Sequence, residues 1–480
     1  MQVLYVSTEI HPALKTGGLA DVNAALPRAL CEAGADARLL LPGFPALRDA
    51  LEGARRVASL APRFGADTIN LMRGSLAGIP TYLIDAPALY GRPGNPYTRS
   101  DGSDWPDNLQ RFALLGLIAA AFADGGIDAF RPDIVHGHDW HAGLACAYLA
   151  ARGGDRPAAV FTVHNLAYQG SFPGDEFARL GLPAHQFSMH GLEFHGALNC
   201  MKAGLFYADR ITTVSPTYAR EIQTDLHGMG MDGLLRSRAG ALRGILNGVD
   251  TLHWNPATDT HLPAHYDALE LAGKQRCRAH LAGTLALTPG EGPLVAVVSR
   301  LTPQKGLDIL LDALPSLVAR GFTFALLGSG DARLESAWRK AADGYPGRVA
   351  VRIGYDEALA HRLIAGADMI AVPSRFEPCG LTQMYGMAYA TLPLVHRVGG
   401  LADTVVDASP AALERGDASG FVFDRPHVDD LCAAFARARL AWSDAPLWQG
   451  LQRTGMAQNH AWSVPALEYL AVYRELRPQA

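Results

Sequence analysis

Leu294-Val295-Ala296-Val297-Val298-Ser299 is an apolar run, Arg300-Leu301-Thr302-Pro303-Gln304-Lys305-Gly306 a turn with two cations, and Leu307-Asp308-Ile309-Leu310-Leu311 the start of a helical pattern. Five successive apolar residues, three of them valine, read as a strand buried on both faces. The spacing predicts a helix over Leu307–Val318. Strand, turn and helix then recur. Phe322–Leu327, Val349–Ile353, Met369–Pro373 and Leu392–His396 are further strand-like runs separated by helical stretches, which is the pattern of a doubly wound α/β domain. Ligands of such sheets sit at the carboxyl ends of the strands. Arg300, Gly328, Ser374 and Arg397 all fall there.

The first half repeats the theme with Val3–Ser7, Ala37–Leu41, Thr81–Ile84, Asp133–His136, Ala159–His164 and Arg210–Val214. The expectation is an α/β chain of two Rossmann-like, doubly wound domains facing across a cleft, over residues 1–247 and 248–456. Asn247-Gly248-Val249-Asp250 marks the division, because Thr251 to Pro293 lacks strand periodicity. A last helix is expected over 457–477. Ser463 would cap it, with Pro465 in its first turn, and Leu467, Leu470, Val472, Tyr473 and Leu476 would pack back on the first domain.

Length alone, 480 residues, points to two or three domains. With 42 Lys and Arg against 47 Asp and Glu the formal charge is -5, which argues against general nucleic-acid or membrane-surface binding. Any phosphate must therefore meet local cations. The opening Met1-Gln2-Val3-Leu4-Tyr5-Val6-Ser7 reads as a strand without a signal peptide's basic region and cleavage site, and no apolar run is long enough to span a bilayer. A cytoplasmic protein is expected. Cys31, Cys146, Cys200, Cys277, Cys379 and Cys432 are scattered, which favours free thiols.

Gly-Gly-Leu-Ala-Asp occurs twice, at 17–21 and 399–403. Each copy is expected to open a helix whose first N–H groups suit an anion, and Lys15 adds a mobile cation to the first. Paired glycines also make tight turns, and for one copy alone that is the simpler reading. Recurrence beside a lysine favours one ligand held between two half-molecules.

Arg300 and Lys305 can both reach one diphosphate from a strand's carboxyl end. In Phe376-Glu377-Pro378-Cys379-Gly380-Leu381-Thr382 the last three residues open a helix suited to phosphate oxygens, leaving Glu377 for sugar hydroxyls or for the helix dipole. His136-Gly137-His138-Asp139-Trp140-His141 invites a metal, yet no cysteine or second compact ligand pair accompanies it, so no metal is expected. His164-Asn165 ends another strand, where a hydroxyl partner and a backbone brace both fit. Absent are Asp-X-Asp, a P-loop, and Gly-X-Gly-X-X-Gly after the first strand. These absences argue against a metal-dependent sugar-nucleotide transferase and a dinucleotide dehydrogenase. No cofactor is expected.

Lys15-Thr16-Gly17-Gly18-Leu19-Ala20-Asp21, His138-Asp139-Trp140-His141, Thr162 to Gly170, Asn247 to Asp250, Ser299-Arg300-Leu301, Gln304-Lys305-Gly306 and Phe376 to Thr382 together resemble bacterial ADP-glucose glycogen synthases and plant starch synthases. The resemblance spans essentially the whole chain. It implies a GT-B fold with the glucan acceptor held mainly by the first domain and ADP-glucose by the second. The implied reaction adds glucose to the non-reducing end of an α-1,4-glucan such as glycogen, with retained anomeric configuration. Lys15, Gly17 and Gly18 would approach the distal phosphate and glucose, with Asp21 beside them. Arg300 and Lys305 would stabilise the departing diphosphate, and Glu377 would hold glucose hydroxyls. Gly380, Leu381, Thr382, Gly399 and Gly400 would offer backbone and hydroxyl contacts. Asp139, His164 and Asn165 would lie near the transferred sugar or acceptor, and Asn247 would line the cleft. One departure is Tyr385, where the broader retaining GT-B pattern has a second glutamate eight positions beyond the first. The alternatives are a retaining transferase using UDP-glucose, or a silent glucan-binding protein.

Overall fold

The computed structural model describes residues 1–288 and 290–479. The chain forms two compact units, Met1–Gly248 with the C-terminal segment from Trp462, and Val249–Ala461.

The strands of the first unit are β1 (Gln2–Val6), β2 (Asp36–Pro42), β3 (Glu52–Leu60), β4 (Ile69–Leu76), β5 (Ile79–Asp85), β6 (Ile134–His138), β7 (Ala158–Val163), β8 (Ser171–Pro173), β9 (Glu193–Phe194), β10 (Ala197–Asn199), β11 (Arg210–Thr213) and β12 (Leu242–Gly244). Nine of them make one sheet in the order β12-β11-β7-β6-β1-β2-β5-β4-β3, and β8-β10-β9 make a small second sheet. Pairing is parallel from β12 to β5, with β4 and β3 added antiparallel at the edge. The central strands are continuous apolar runs because helices cover both faces. Val3, Leu4, Val6, Leu39, Leu40 and Leu41 have no exposed surface. The edge strand β3 escaped the sequence reading because Glu52–Arg56 face solvent and carry no buried period.

The last helix of this unit is Ser463–Leu476. It differs from the expected 457–477, since Ala457 ends the preceding helix, Ala445–Ala457. Trp462 takes the N-cap position, and Ser463 lies one residue too late to cap. The intervening chain is held otherwise, with the Val249 N–H donating to the His460 carbonyl at 2.7 Å. The Tyr473 hydroxyl bonds His136 Nδ1 on β6 at 2.7 Å.

The second unit contributes β13 (Leu294–Val298), β14 (Thr323–Gly328), β15 (Val349–Ile353), β16 (Met369–Val372), β17 (Leu392–His396) and β18 (Phe421–Phe423). They form one parallel sheet in the order β15-β14-β13-β16-β17-β18. Its core gathers Val295, Val297, Leu326, Leu310, Leu314, Trp338 and Phe435. The stretch without strand periodicity holds the helix Ala272–Thr284. Its Lys274 is buried, and the ammonium donates to the carbonyls of Ala365 at 3.0 Å and Tyr389 at 2.9 Å and to the Thr391 hydroxyl at 2.6 Å. Burial draws its pKa down to about 7.

Among the described residues no helix is long and apolar enough to cross a membrane, and no cysteine forms a disulfide. Helix packing in the first unit depends on Gly143. A Cβ there would lie 2.0 Å from the Cys200 carbonyl oxygen at the start of the helix Cys200–Tyr207. Gly143→Ala must part the two helices, at roughly 1–3 kcal/mol. Calorimetry should show a lower melting temperature by about 2–4 °C per kcal/mol, with Gly240→Ala, whose Cβ meets nothing within 4 Å, unchanged.

Candidate active site

Each unit carries part of the residue set. In the second, β13 ends at Val298 and runs into the turn bearing Arg300 and Lys305, while β16 ends at Val372 and runs into Ser374–Gly380. Adjacent parallel strands bring their carboxyl ends to the same edge, so these two loops become neighbours. The contact is close. Gly306 has φ +64°, and a Cβ on it would lie 2.0 Å from the Pro373 carbonyl oxygen, so only glycine serves both needs. The Arg375 N–H donates to the Gln304 carbonyl at 2.8 Å, and its guanidinium spans to Asp308 with bonds of 2.7 and 2.6 Å and to the Pro303 carbonyl at 2.8 Å. That bond to Arg375 holds the Asp308 carboxyl below its ordinary range.

The clamp sets Lys305 against Glu377. The ammonium and Oε2 are 2.5 Å apart, and the same oxygen accepts from the Ser374 hydroxyl at 2.9 Å. Both side chains are largely buried, 18% and 8% exposed. Arg300 is exposed on the same turn. Gly380, Leu381 and Thr382 follow directly, with Leu381 at the N-cap of the helix Thr382–Ala388.

Gly399 and Gly400 behave differently from the expected anion site. The Gly400 N–H donates to the carbonyls of Glu377 and Pro378 at 3.2 and 3.1 Å. Cβ atoms on the two glycines would lie 1.9 Å from the Glu377 oxygen and 2.2 Å from the Cys379 oxygen. They are buried residues that let the helix Gly399–Thr404 pack directly under the 377–379 backbone. The Gly400 amide serves the fold, and it holds the backbone that carries Glu377.

In the first unit Gly17 is the N-cap of the helix Gly18–Glu32. A Cβ on Gly17 would meet nothing within 4 Å. Lys15 pairs with Asp21 in the first helical turn at 2.9 Å. Beneath this exposed turn lies a carboxylate that the sequence reading did not single out. Glu9 is 2% exposed, and its oxygens accept from the Thr16 N–H at 2.6 Å and from the Thr16 hydroxyl at 2.9 and 3.0 Å. Burial pushes its pKa up to about 7. A lone acid three residues past an apolar strand and six before Lys15 was the available signal.

Asp139 begins the helix Asp139–Arg152 at φ +57°. Its Oδ1 accepts from the N–H groups of His164 at 2.7 Å and Asn165 at 3.3 Å. It therefore braces the end of β7 through the backbone. Burial raises its pKa to about 7. His164 Nε2 bonds His138 Nδ1 at 2.9 Å, and burial lowers the His164 pKa to about 3, so the ring is neutral. The Asn165 side chain accepts from the Ala167 N–H at 3.1 Å, closing its own turn. Asn247 is buried, and its side-chain oxygen has no hydrogen-bond partner among the described residues.

The family model for the starch synthase catalytic domain matches residues 2–237, and that for glycosyl transferases group 1 matches residues 292–438. The glycogen synthase of Yersinia enterocolitica is 54% identical over 483 residues, covering 99% of this chain and 100% of that protein. The glycogen synthase of Serratia proteamaculans is 53% identical with the same coverage. The chain belongs to the glycogen and starch synthase family. The catalytic domain of Starch Synthase IV from Arabidopsis thaliana, bound to ADP and acarbose, matches with a TM-score of 0.90 and 30% identity over 99% of both chains. Sucrose-phosphate synthase from Thermosynechococcus elongatus, at TM-score 0.61 and 18% identity, shares the fold. That fold is GT-B.

For a glycogen and starch synthase family member, Tyr385 has a structural role here. Its ring stacks on Trp254 at 3.9 Å and 7°, and Trp254 stacks in turn on His361 at 3.8 Å and 9°. Tyr385 thus anchors the helix Thr382–Ala388 through packing.

The buried carboxyl of Asp139 makes stability depend on pH. Its folded pKa, about 7 against an ordinary 3.8, means that the folded chain holds the proton more tightly. The stability this gives is complete below about pH 4 and is lost as pH rises through about 7. Asparagine keeps an acceptor oxygen, tolerates φ +57° and carries no charge. Asp139→Asn should therefore melt above the parent at pH 8, with each tenfold difference in proton affinity worth about 1.4 kcal/mol. The gap should shrink below about pH 7 and nearly vanish near pH 4. A gap independent of pH in differential scanning fluorimetry would refute the assignment.

Proposed function

We propose that this chain acts as a glycogen synthase, transferring glucose from ADP-glucose to the non-reducing end of an α-1,4-glucan with retention of configuration. The observation that carries the reading is the Lys305–Glu377 pair, 2.5 Å apart at the carboxyl ends of β13 and β16. A site for glucan alone has no use for a buried ammonium, and a site for phosphate alone has no use for a buried carboxylate beside it. A sugar diphosphate needs both. The whole-length identity to glycogen synthases and the ADP and acarbose on the Arabidopsis enzyme support the same donor and acceptor.

Breaking the bond between C1 and the phosphate oxygen builds positive charge on the sugar and negative charge on the diphosphate. Lys305 exchanges Glu377 for the leaving phosphate, with Arg300 and Lys15 as further cations, and preorganised charge of this kind stabilises the transition state. Glu377, released from its partner, accepts hydrogen bonds from glucose hydroxyls. The turn Gly380–Thr382 meets phosphate oxygens. The acceptor hydroxyl attacks from the face the diphosphate leaves, and its proton passes to the departing oxygen. His164, neutral, is a hydrogen-bonding partner for the transferred sugar, and Asp139 fixes it through its backbone. Asn247 offers its unpaired oxygen to a hydroxyl. Neither a metal nor a cofactor enters the scheme. The site of action in this reading is the cytoplasm.

The test is ADP release from the purified chain with ADP-glucose and glycogen, run beside UDP-glucose and a control without glycogen. Glycogen-dependent release that favours ADP-glucose is expected. Release from UDP-glucose alone would move the donor assignment, and release from neither would leave a glucan-binding protein. Lys305→Ala should lower turnover by about 10²–10³-fold, the scale of losing one preorganised donor, with glucan affinity nearly unchanged. Equal turnover in a folded variant would remove the clamp.

A further inference from the structure

We propose that Glu9 is a positioning residue for this reaction, its buried carboxylate setting, through the hydrogen bonds it accepts from Thr16, the turn that presents Lys15 and Gly17 to the donor. The inference rests on the reading of Lys15 as a phosphate partner. It stands on the hydrogen bonds around Thr16.

The stretch before the turn is already closed on itself. Ile10 and Leu14 exchange backbone bonds at 3.1 and 2.8 Å, and the His11 N–H reaches the Ala20 carbonyl at 3.1 Å. Glu9 is anchored from behind. Asn23 of the helix Gly18–Glu32 donates to the Glu9 carbonyl at 2.7 Å and to the Ser7 hydroxyl at 2.6 Å, and accepts from the Tyr5 hydroxyl at 2.9 Å. From this fixed base only the carboxylate reaches outward, and both of its oxygens meet Thr16. Lys15 and Gly17 flank that residue, so the orientation of the Thr16 peptide sets both.

A carboxylate is an expensive group to bury, and a neutral side chain would fill the space as well. Its charge is also opposed by its surroundings. Burial and the nearby Asp21 raise the Glu9 pKa, whereas the bonds from Thr16 and Tyr97 lower it, leaving it at about 7. The other groups that face it are Asp139, whose own pKa Glu9 helps to raise, and Lys15 through its pair with Asp21. Above about pH 7 the ionised form accepts from both the N–H and the hydroxyl of Thr16. Below it, a carboxyl proton competes for one of those oxygens, and the turn is held less firmly.

Two measurements test the proposal. The first is the Thr16 amide resonance of the full chain, followed by NMR from pH 5.5 to 8.5 without ligand. It should titrate with a midpoint near 7 in the parent and in Asp139→Asn, and should not titrate in Glu9→Gln. A titration that survives Glu9→Gln, or that disappears in Asp139→Asn, overturns the proposal. The second is kinetic. Glu9→Ala should raise the ADP-glucose KM or lower kcat/KM at least tenfold without altering the KM for glycogen, and Glu9→Gln, which keeps an acceptor for the Thr16 N–H, should recover most of the loss. In a Lys15→Ala background the Glu9→Ala loss should fall below threefold, because both act through one turn. A loss that simply multiplies with that of Lys15→Ala overturns the proposal. If the parent releases no ADP from ADP-glucose, the donor reading has failed, and the Thr16 titration still decides whether Glu9 governs the turn.

Discussion

The 2.5 Å contact between Lys305 and Glu377 is the constraint around which the second unit is arranged. Two opposite charges can stay largely buried only if each satisfies the other and the remaining lone pairs find donors. Ser374 supplies one. The backbone supplies the geometry, since the loops after β13 and β16 touch at Gly306 and Pro373, and the Arg375–Asp308 fork keeps them from separating. Gly399 and Gly400 complete the support from below. The surroundings thus fix the backbone that carries both charges, and in the reaction proposed above only the side-chain partners change, which is the condition under which fixed charge is effective in catalysis.

The first unit solves a related problem by other means. Two of its backbone segments are attached to buried acids, the turn at Thr16 to Glu9 and the end of β7 to Asp139 through the His164 and Asn165 amides. In both cases a carboxylate orders main chain, and the side chains that project outward are ordered as a result. The two acids pay for this with pKa values near neutrality.

The parallel strands were legible because burial on both faces makes them continuous apolar runs, as in Leu294–Val298. Lys15, Lys305 and Glu377 were legible from their place at strand and helix ends. What escaped was tertiary. Gly399-Gly400 repeats the letters of Gly17-Gly18, yet the close approach of the 377–379 backbone turns the repeat into a packing device. Glu9 offers only its place between the first strand and Lys15, since its meaning lies in a residue seven positions on. Tyr385 read only as a departure from the broader pattern, because Trp254, the ring it stacks on, is distant in sequence. Ser463 lost its capping role because the helix begins at that residue, with Trp462 at the N-cap.

The return of the chain at Trp462 bears on how the protein is made. The first unit needs Tyr473 beside His136, but the ribosome must first produce the whole contiguous second unit, Val249–Ala461. At about 5–20 residues per second, the large sheet waits on the order of ten to forty seconds with the flank of β6 uncovered. The unit begun second can therefore be the one finished first, while in the unit begun first the patch that Ser463–Leu476 covers is the last to close.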